Sequence, residues 1–306
     1  MPGPLLGLIP ATHTPFDADG RLDLAAVPRQ AELFRESGIS AVFVAGTTGE
    51  WASMTVDERM ALCDRWTEAA GDSLSVAVHV GHHCQSEAVA LAKHARDSGA
   101  SAIAAVAPSY YRPATAADLV DFLAPIAEAA GPLPFYYYEI PMMTGSKLLT
   151  SEVLREARSR IPTLRGMKYS HGDLIDLQEC VQSDGGALDV LFGMDDYLTA
   201  GLSMGVRGAI GATYNFAARH FQGLIRSFEA GDLKAAREKQ YAAVRLVKVL
   251  GRYGFFPASK AVMGMIGADC GPVRSPLRPL GHDETAALAR ELKTLEILDR
   301  PLRVLD

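Results

Sequence analysis

Apolar positions along this chain gather into eight short runs, at residues 5–10, 41–46, 75–81, 102–107, 133–139, 164–169, 189–194 and 207–212. Most are nearly continuous in apolar, β-branched or aromatic residues rather than alternating. That is the pattern of strands covered on both faces, as in a parallel sheet. Between the runs the spacing turns helical. Residues 55–70 form one such segment, with Thr55 as N-cap and Glu58 three residues on as its capping-box partner. Residues 85–98, 115–129 and 174–182 have the same character. Strand–helix units repeating at roughly 25–35 residues predict an α/β fold of the (β/α)8, or TIM-barrel, kind. The unit count places that barrel over residues 1–230.

After residues 216–230 the strands stop. Residues 232–250, 258–266 and 283–298 all read as helices, separated by Gly251-Arg-Tyr-Gly254 and by a Pro-rich stretch at 271–280. This predicts a C-terminal three-helix extension, residues 231–306, packed on the barrel as one structural unit. No Gly/Ser linker or low-complexity tract marks off an independent domain. A chain of 306 residues with 48% hydrophobic content has enough apolar side chains for a large core. Its net charge of −6 argues against nucleic acid or an anionic membrane as main partner. No run is long and apolar enough for a transmembrane helix. The opening Met-Pro-Gly-Pro leads at once into the first strand, so no secretory signal is expected. The four cysteines, Cys63, Cys84, Cys180 and Cys270, are widely spaced, which suits a cytoplasmic protein with reduced thiols.

In a barrel of this kind the active site lies at the carboxyl ends of the strands. The sixth run, Leu164-Arg-Gly-Met-Lys-Tyr, carries one lysine, Lys168, close to its end. An amine in apolar surroundings is costly to keep charged, and burial makes it usable as a nucleophile. The second run ends in Gly46-Thr-Thr-Gly-Glu50, a turn whose N–H groups and hydroxyls suit an anion such as a carboxylate. It is not a P-loop, because no lysine follows the second glycine. The fifth ends in Phe135-Tyr-Tyr-Tyr-Glu-Ile-Pro141. Strand alternation sends Tyr136 and Tyr138 to one face and Tyr137 to the other, where it fills core volume. A tyrosine facing the barrel mouth near Lys168 can shuttle a proton. The seventh run ends in Phe192-Gly-Met-Asp-Asp196, two adjacent carboxylates of which one is open to a plain helix-capping role. The eighth ends in Gly208-Ala-Ile-Gly-Ala-Thr-Tyr-Asn215, whose small residues let a ligand approach the backbone. His82-His83-Cys84 offers metal-ligand atoms but no partner triplet, and Asp17-Ala-Asp-Gly20 lacks the Glu that closes a calcium loop, so it reads as a turn.

Gly-Thr-Thr-Gly-Glu, then Tyr110-Tyr111, then Tyr-Glu-Ile-Pro, then Gly-Met-Lys, in that order, resembles the N-acetylneuraminate lyase and dihydrodipicolinate synthase superfamily of class I aldolases. The resemblance covers nearly the whole chain. The stretches from Leu133 to Lys147 and from Leu191 to Asp196 are most similar to the lyase branch. The resemblance implies Lys168 as the Schiff-base lysine and Tyr138 as the tyrosine that relays protons at the reacting carbon. It implies Thr47 and Thr48 as the pair that holds the 2-oxo acid carboxylate. Tyr111 corresponds to a tyrosine that reaches into a neighbouring subunit's site, which implies a homotetramer built as a dimer of dimers. Ser170, Gly193, Asp195, Asp196 and Gly211 fall where lyases line the site and contact the polyhydroxy tail. Neither a metal nor an organic cofactor is expected.

The chain departs from the lyase pattern in several places. Lyases usually carry Glu at Asp196 and Ser at Ala212, and both positions face the far end of the sugar. Glu139 stands where relatives have Asn or His. Met143 stands where the synthases carry an Arg that grips a second carboxylate, which an apolar side chain cannot do. The expected activity is reversible cleavage of N-acetylneuraminate to N-acetylmannosamine and pyruvate. The alternatives are a related aldolase, dehydratase or hydratase-aldolase acting on another 2-oxo acid, and a non-catalytic 2-oxo acid sensor.

Overall fold

The computed structural model describes residues 5–303; the Met-Pro-Gly-Pro opening and the last three residues of the expected extension lie outside them. Eight parallel strands form one sheet in the order β1-β8-β7-β6-β5-β4-β3-β2. They are β1 (Gly7–Pro10), β2 (Ala41–Val44), β3 (Ser75–His79), β4 (Ala102–Val106), β5 (Phe135–Glu139), β6 (Leu164–Tyr169), β7 (Asp189–Phe192) and β8 (Gly208–Gly211). Each lies within a run picked out by its apolar composition. The sheet closes on itself where Ala11 bridges Phe43 in parallel and the Thr12 N–H donates to the Phe43 carbonyl at 3.0 Å. The result is the expected (β/α)8 barrel.

Between the strands run α1 (Val27–Glu36), α2 (Val56–Ala70), α3 (Gln85–Asp97), α4 (Ala116–Ala129), α5 (Pro141–Thr144), α6 (Thr150–Arg160), α7 (Leu174–Gln182) and α8 (Leu198–Ser203). The Thr55 capping box forms as the sequence predicts, with Thr55 and Glu58 exchanging backbone and side-chain hydrogen bonds. The Asp17 to Gly20 segment is a turn, closed by the Gly20 N–H on the Asp17 carbonyl.

Strand alternation produces two cores. Ile9, Phe43, Ala104, Tyr136, Tyr138 and Ile210 belong to a small cluster inside the barrel. A much larger cluster, including Phe34, Trp66, Phe135, Tyr137 and Phe192, fills the layer between barrel and helices. Full burial of such side chains stabilises by about 1.5–3 kcal/mol each before entropy is counted.

After β8 come α9 (Tyr214–Glu229), α10 (Leu233–Arg252), α11 (Phe255–Met265) and α12 (His282–Lys293). The sequence predicts the last of these through residue 298, but it stops at Lys293. Glu296 turns left-handed at φ 47°, and the chain doubles back. Asp299 then accepts from the Ala218 and Arg219 N–H groups, both at 2.9 Å, just beyond the kink in α9 at Ala217. Those N–H groups lose their intrahelical partners at the kink, and a carboxylate is a strong replacement. No helix among the described residues is long and apolar enough to cross a membrane.

Candidate active site

The carboxyl ends of the strands open into a cavity of about 260 Å³. Its floor follows from the pairing of β5 with β6. Tyr138 stands opposite Lys168 in the ladder, so both point into the barrel. Lys168 is only 5% exposed. Its Nζ lies 4.7 Å from the Phe43 ring centre and 4.3 Å from that of Tyr138. Aromatic faces attract an ammonium group, and here two of them hold the amine at the cavity floor. Among the described residues Lys168 forms no salt bridge, unlike Lys260, whose Nζ lies 2.8 Å from a Glu50 carboxylate oxygen.

The Tyr138 ring packs edge-on against Phe43 and His79, each at 5.6 Å between centroids. Its hydroxyl lies 3.0 Å from Thr47 Oγ1. Thr47 therefore touches the tyrosine as well as belonging to the Gly46–Glu50 turn, a contact that sequence reasoning did not foresee. Burial and the nearby Arg59 charge hold His79 well below the usual imidazole range, so the ring behind Tyr138 is neutral.

The turn itself is bracketed by two left-handed residues, Ala45 at φ 54° and Glu50 at φ 55°. For non-glycine residues this conformation costs on the order of 1–3 kcal/mol each. Gly49 suits the crowded middle, because a Cβ there would sit 3.1 Å from the Thr12 carbonyl oxygen. The Thr14 hydroxyl donates to the Gly49 carbonyl at 2.6 Å. Thr48 is buried and Thr47 half-buried at the cavity wall.

Across the cavity lie Ser170, Gly193, Asp195, Asp196 and Gly211. Asp195 Oδ2 accepts from the Thr213 N–H at 2.8 Å and from its hydroxyl at 2.6 Å. It does not cap its own short turn, whose capping position is Met194. It instead fastens the residue that precedes α9. Any Cβ at position 211 would fall 1.9 Å from Asp195 Oδ1, so glycine is required there. Burial raises the carboxyl pKa of Asp195, opposed by the Thr213 hydrogen bonds and the charge of Lys168. Burial also raises that of Asp196. Ser170 Oγ is buried without a hydrogen-bond partner. Buried hydroxyls in folded proteins are almost always paired, and this unpaired one lines the cavity.

The rest of the wall is apolar, and most of it was not read from the sequence as part of a site. Ile140 and the exposed Met142 and Met143 follow β5. Val247 comes from α10, and Phe255 and Phe256 from the first turn of α11. Tyr137 faces outward as expected, but its hydroxyl donates to the buried Glu139 carboxylate. Burial pushes the Glu139 carboxyl up to about 7, against the pull of that hydrogen bond. Tyr110 and Tyr111 are 81% and 85% exposed in the single chain, with their rings perpendicular at 5.0 Å. Neither lines the cavity.

Residues 4–295 match the Dihydrodipicolinate synthetase family. The chain belongs to that family. An N-acetylneuraminate lyase of Pongo abelii is 36% identical over 299 residues, covering 96% of this chain and 93% of its own length. The solved Proteus mirabilis N-acetylneuraminate lyase superposes with a TM-score of 0.94 at 33% identity, over 97% of this chain and 100% of its own. The N-acetylneuraminate lyase (sialic acid aldolase) of Aliivibrio salmonicida does so with a TM-score of 0.94 at 35% identity, covering 97% and 99% of the two chains. Family membership thus spans the barrel and nearly all of the helices that follow it.

Proposed function

We propose that this member of the family cleaves N-acetylneuraminate reversibly to N-acetylmannosamine and pyruvate through an imine on Lys168. The observation that carries the proposal is the convergence of a buried amine, a tyrosine hydroxyl and a threonine turn on one cavity at the strand ends. The Lys168 amine condenses with the 2-oxo carbon and expels water. The iminium then draws in the electron pair of the C3–C4 bond, leaving an enamine and an aldehyde; the enamine takes a proton at C3, and water hydrolyses the resulting imine to release pyruvate and the free lysine. Tyr138 moves protons during imine formation and takes part in removing the proton from the hydroxyl whose carbon becomes the aldehyde. Its contact with Thr47 gives that proton a short path. Thr47 and Thr48 fix the substrate carboxylate, so that the carbonyl is held within attack distance. Ser170, Gly193, Asp195, Asp196 and Gly211 receive the rest of the substrate.

We assign the working form as a cytoplasmic homotetramer, a dimer of dimers, in which Tyr111 reaches a neighbour's site. Two fully presented aromatic rings on one loop support that assignment, and so do four free cysteines. Light scattering checks the assembly, and an active monomer at assay concentration would refute it.

A second reading is favoured by one observation. The mouth of the cavity is walled by Met142, Met143, Val247, Phe255 and Phe256 and lacks a hydroxyl at Ala212. The same iminium chemistry on a less hydroxylated 2-oxo acid would suit that wall. A coupled assay for pyruvate release over a panel of 2-oxo sugar acids separates the two. N-acetylneuraminate should show the highest kcat/KM. If it yields no pyruvate at millimolar concentration while borohydride still traps pyruvate on Lys168, the second reading holds.

A further inference from the structure

The family chemistry uses one buried lysine, yet the chain holds two. Lys260 lies on α11, and its side chain and that of Glu50 are each only 2% exposed. Besides Glu50, its ammonium donates to the Pro272 carbonyl at 2.7 Å and sits 4.2 Å from the Phe16 ring centre. Two charges are removed from water here, which burial opposes unless geometry and extra hydrogen bonds compensate. Glu50 receives such a bond from the Arg274 N–H at 2.8 Å. The Arg274 guanidinium in turn holds Glu58 at 2.5 Å and the Ser53 carbonyl at 2.9 Å. The neighbouring Ser259 hydroxyl meets His13 Nε2 at 2.9 Å.

Two of these contacts, from the Lys260 ammonium and the Arg274 N–H, end on Glu50. Glu50 is the last residue of the Gly46–Glu50 turn and is left-handed at φ 55°. A non-glycine residue persists in that conformation only where its surroundings over-determine it. The charged partners come from Lys260 on α11 and from Arg274 in the segment after it, more than 200 residues away in sequence, while Thr14 at the barrel holds the neighbouring Gly49 carbonyl. The start of the same helix places Phe255 and Phe256 at the cavity mouth.

We propose that Lys260 is a positioning residue for the 2-oxo acid carboxylate. Paired with Glu50, it holds the turn in the shape that presents Thr47 and Thr48 to the substrate. This rests on the reading that the turn receives the carboxylate. Lys260 reaches neither substrate nor Lys168 and forms no covalent bond in the reaction.

The test is steady-state synthesis from pyruvate and N-acetylmannosamine with the full chain, using Lys260→Met and the charge-free double variant Glu50→Gln/Lys260→Met. The double variant leaves no unpaired buried charge and guards against simple unfolding. The expected result is a pyruvate KM raised about tenfold or more, with the N-acetylmannosamine KM within about twofold and the borohydride adduct still on Lys168. A general loosening of the fold would raise both KM values together, and that outcome overturns the proposal. So does an unchanged pyruvate KM. Failure of both variants to fold assigns the pair to stability alone and also overturns it. Thr48→Val keeps the two layers apart. If it leaves pyruvate KM unchanged, the reading of the turn has failed. If it raises pyruvate KM while the Lys260 variants do not, only the present inference has.

Discussion

The two ends of the cavity are built differently. At the floor, Lys168, Tyr138, Thr47 and Thr48 are packed against one another and backed by Phe43, His79 and the buried Glu50–Lys260 pair. At the mouth, Asp196, Met142, Met143, Phe255 and Phe256 are half-buried or exposed, and few hydrogen bonds fix them. Lys168 and Tyr138 stand on strands, placed by the β5–β6 register, and Thr47 and Thr48 stand on a turn fastened by hydrogen bonds. The mouth rests on loop residues and helix starts. The difference separates the tasks. Chemistry needs preorganised groups whose alignment costs nothing at the moment of reaction. Recognition of a variable tail tolerates a softer wall, and methionines adapt readily.

Lys168→Arg breaks the comparison most severely. Arginine stays charged and cannot attack, so pyruvate release should fall to background with the fold intact by circular dichroism. Borohydride reduction in pyruvate should add one three-carbon unit to the wild type, located by mass spectrometry on Lys168; an adduct on Lys147 or Lys260 would refute the assignment. Tyr138→Phe comes next. It removes one hydroxyl and little volume, and should lower kcat by about two to four powers of ten with a smaller effect on KM. Near wild-type kcat would take Tyr138 out of the mechanism.

Changes at the mouth should be milder and appear in KM. Ala212→Ser restores one hydroxyl, and a buried hydrogen bond contributes about 0.5–1.5 kcal/mol, or roughly two- to tenfold. It should tighten N-acetylneuraminate and leave pyruvate affinity unchanged; an equal shift in both would erase the distinction between the ends. The two ends should also differ in pH response. Burial drops the His13 pKa to about 3, so this ring stays neutral and adds no titration of its own to pyruvate binding between about pH 5 and 8. Asp196 has its pKa raised, so it gains its proton earlier than an ordinary aspartate as pH falls. The KM for N-acetylneuraminate should rise toward acid pH, and Asp196→Asn should flatten that rise.

The smallest expected effect lies behind the floor. Glu139 has a folded-state pKa of about 7, above its unfolded value. A raised carboxyl contributes its full stability below about pH 4.5 and loses it as pH rises through about 7. Denaturant titrations should show Glu139→Gln flattening part of the stability decline across that window while kcat stays near wild type. An identical slope in the variant would show that Glu139 does not couple to folding.

Much of this arrangement was legible before any coordinates. Eight two-face-buried runs separated by helical spacing read as a barrel because a parallel sheet leaves no face for polar residues. A period of two put Tyr136 and Tyr138 inside and Tyr137 outside. Asp195 shows where such reading stops. It could be recognised as a candidate cap or ligand, but the group it fastens, Thr213, belongs to another strand's exit. The last helix shows the same limit, since its end is decided by Asp299 returning to the kink in α9.

The sequence by itself determined the elements, the faces of the strands and the presence of one lysine at a strand end, because these follow from spacing along a single chain. The tertiary structure alone decided that Thr47 meets the Tyr138 hydroxyl, that Phe255 and Phe256 close the mouth, and that Lys260 pairs with Glu50. The sequence predicts a helix over residues 258–266 but gives no sign that Ser259 and Lys260 are buried on it. Those contacts join residues 91 positions apart for Thr47 and Tyr138 and more than 200 apart for Glu50 and Lys260, and no local periodicity encodes a partner at such distances. Folding the C-terminal helices onto the barrel is what turns a second buried lysine from a puzzle into a support.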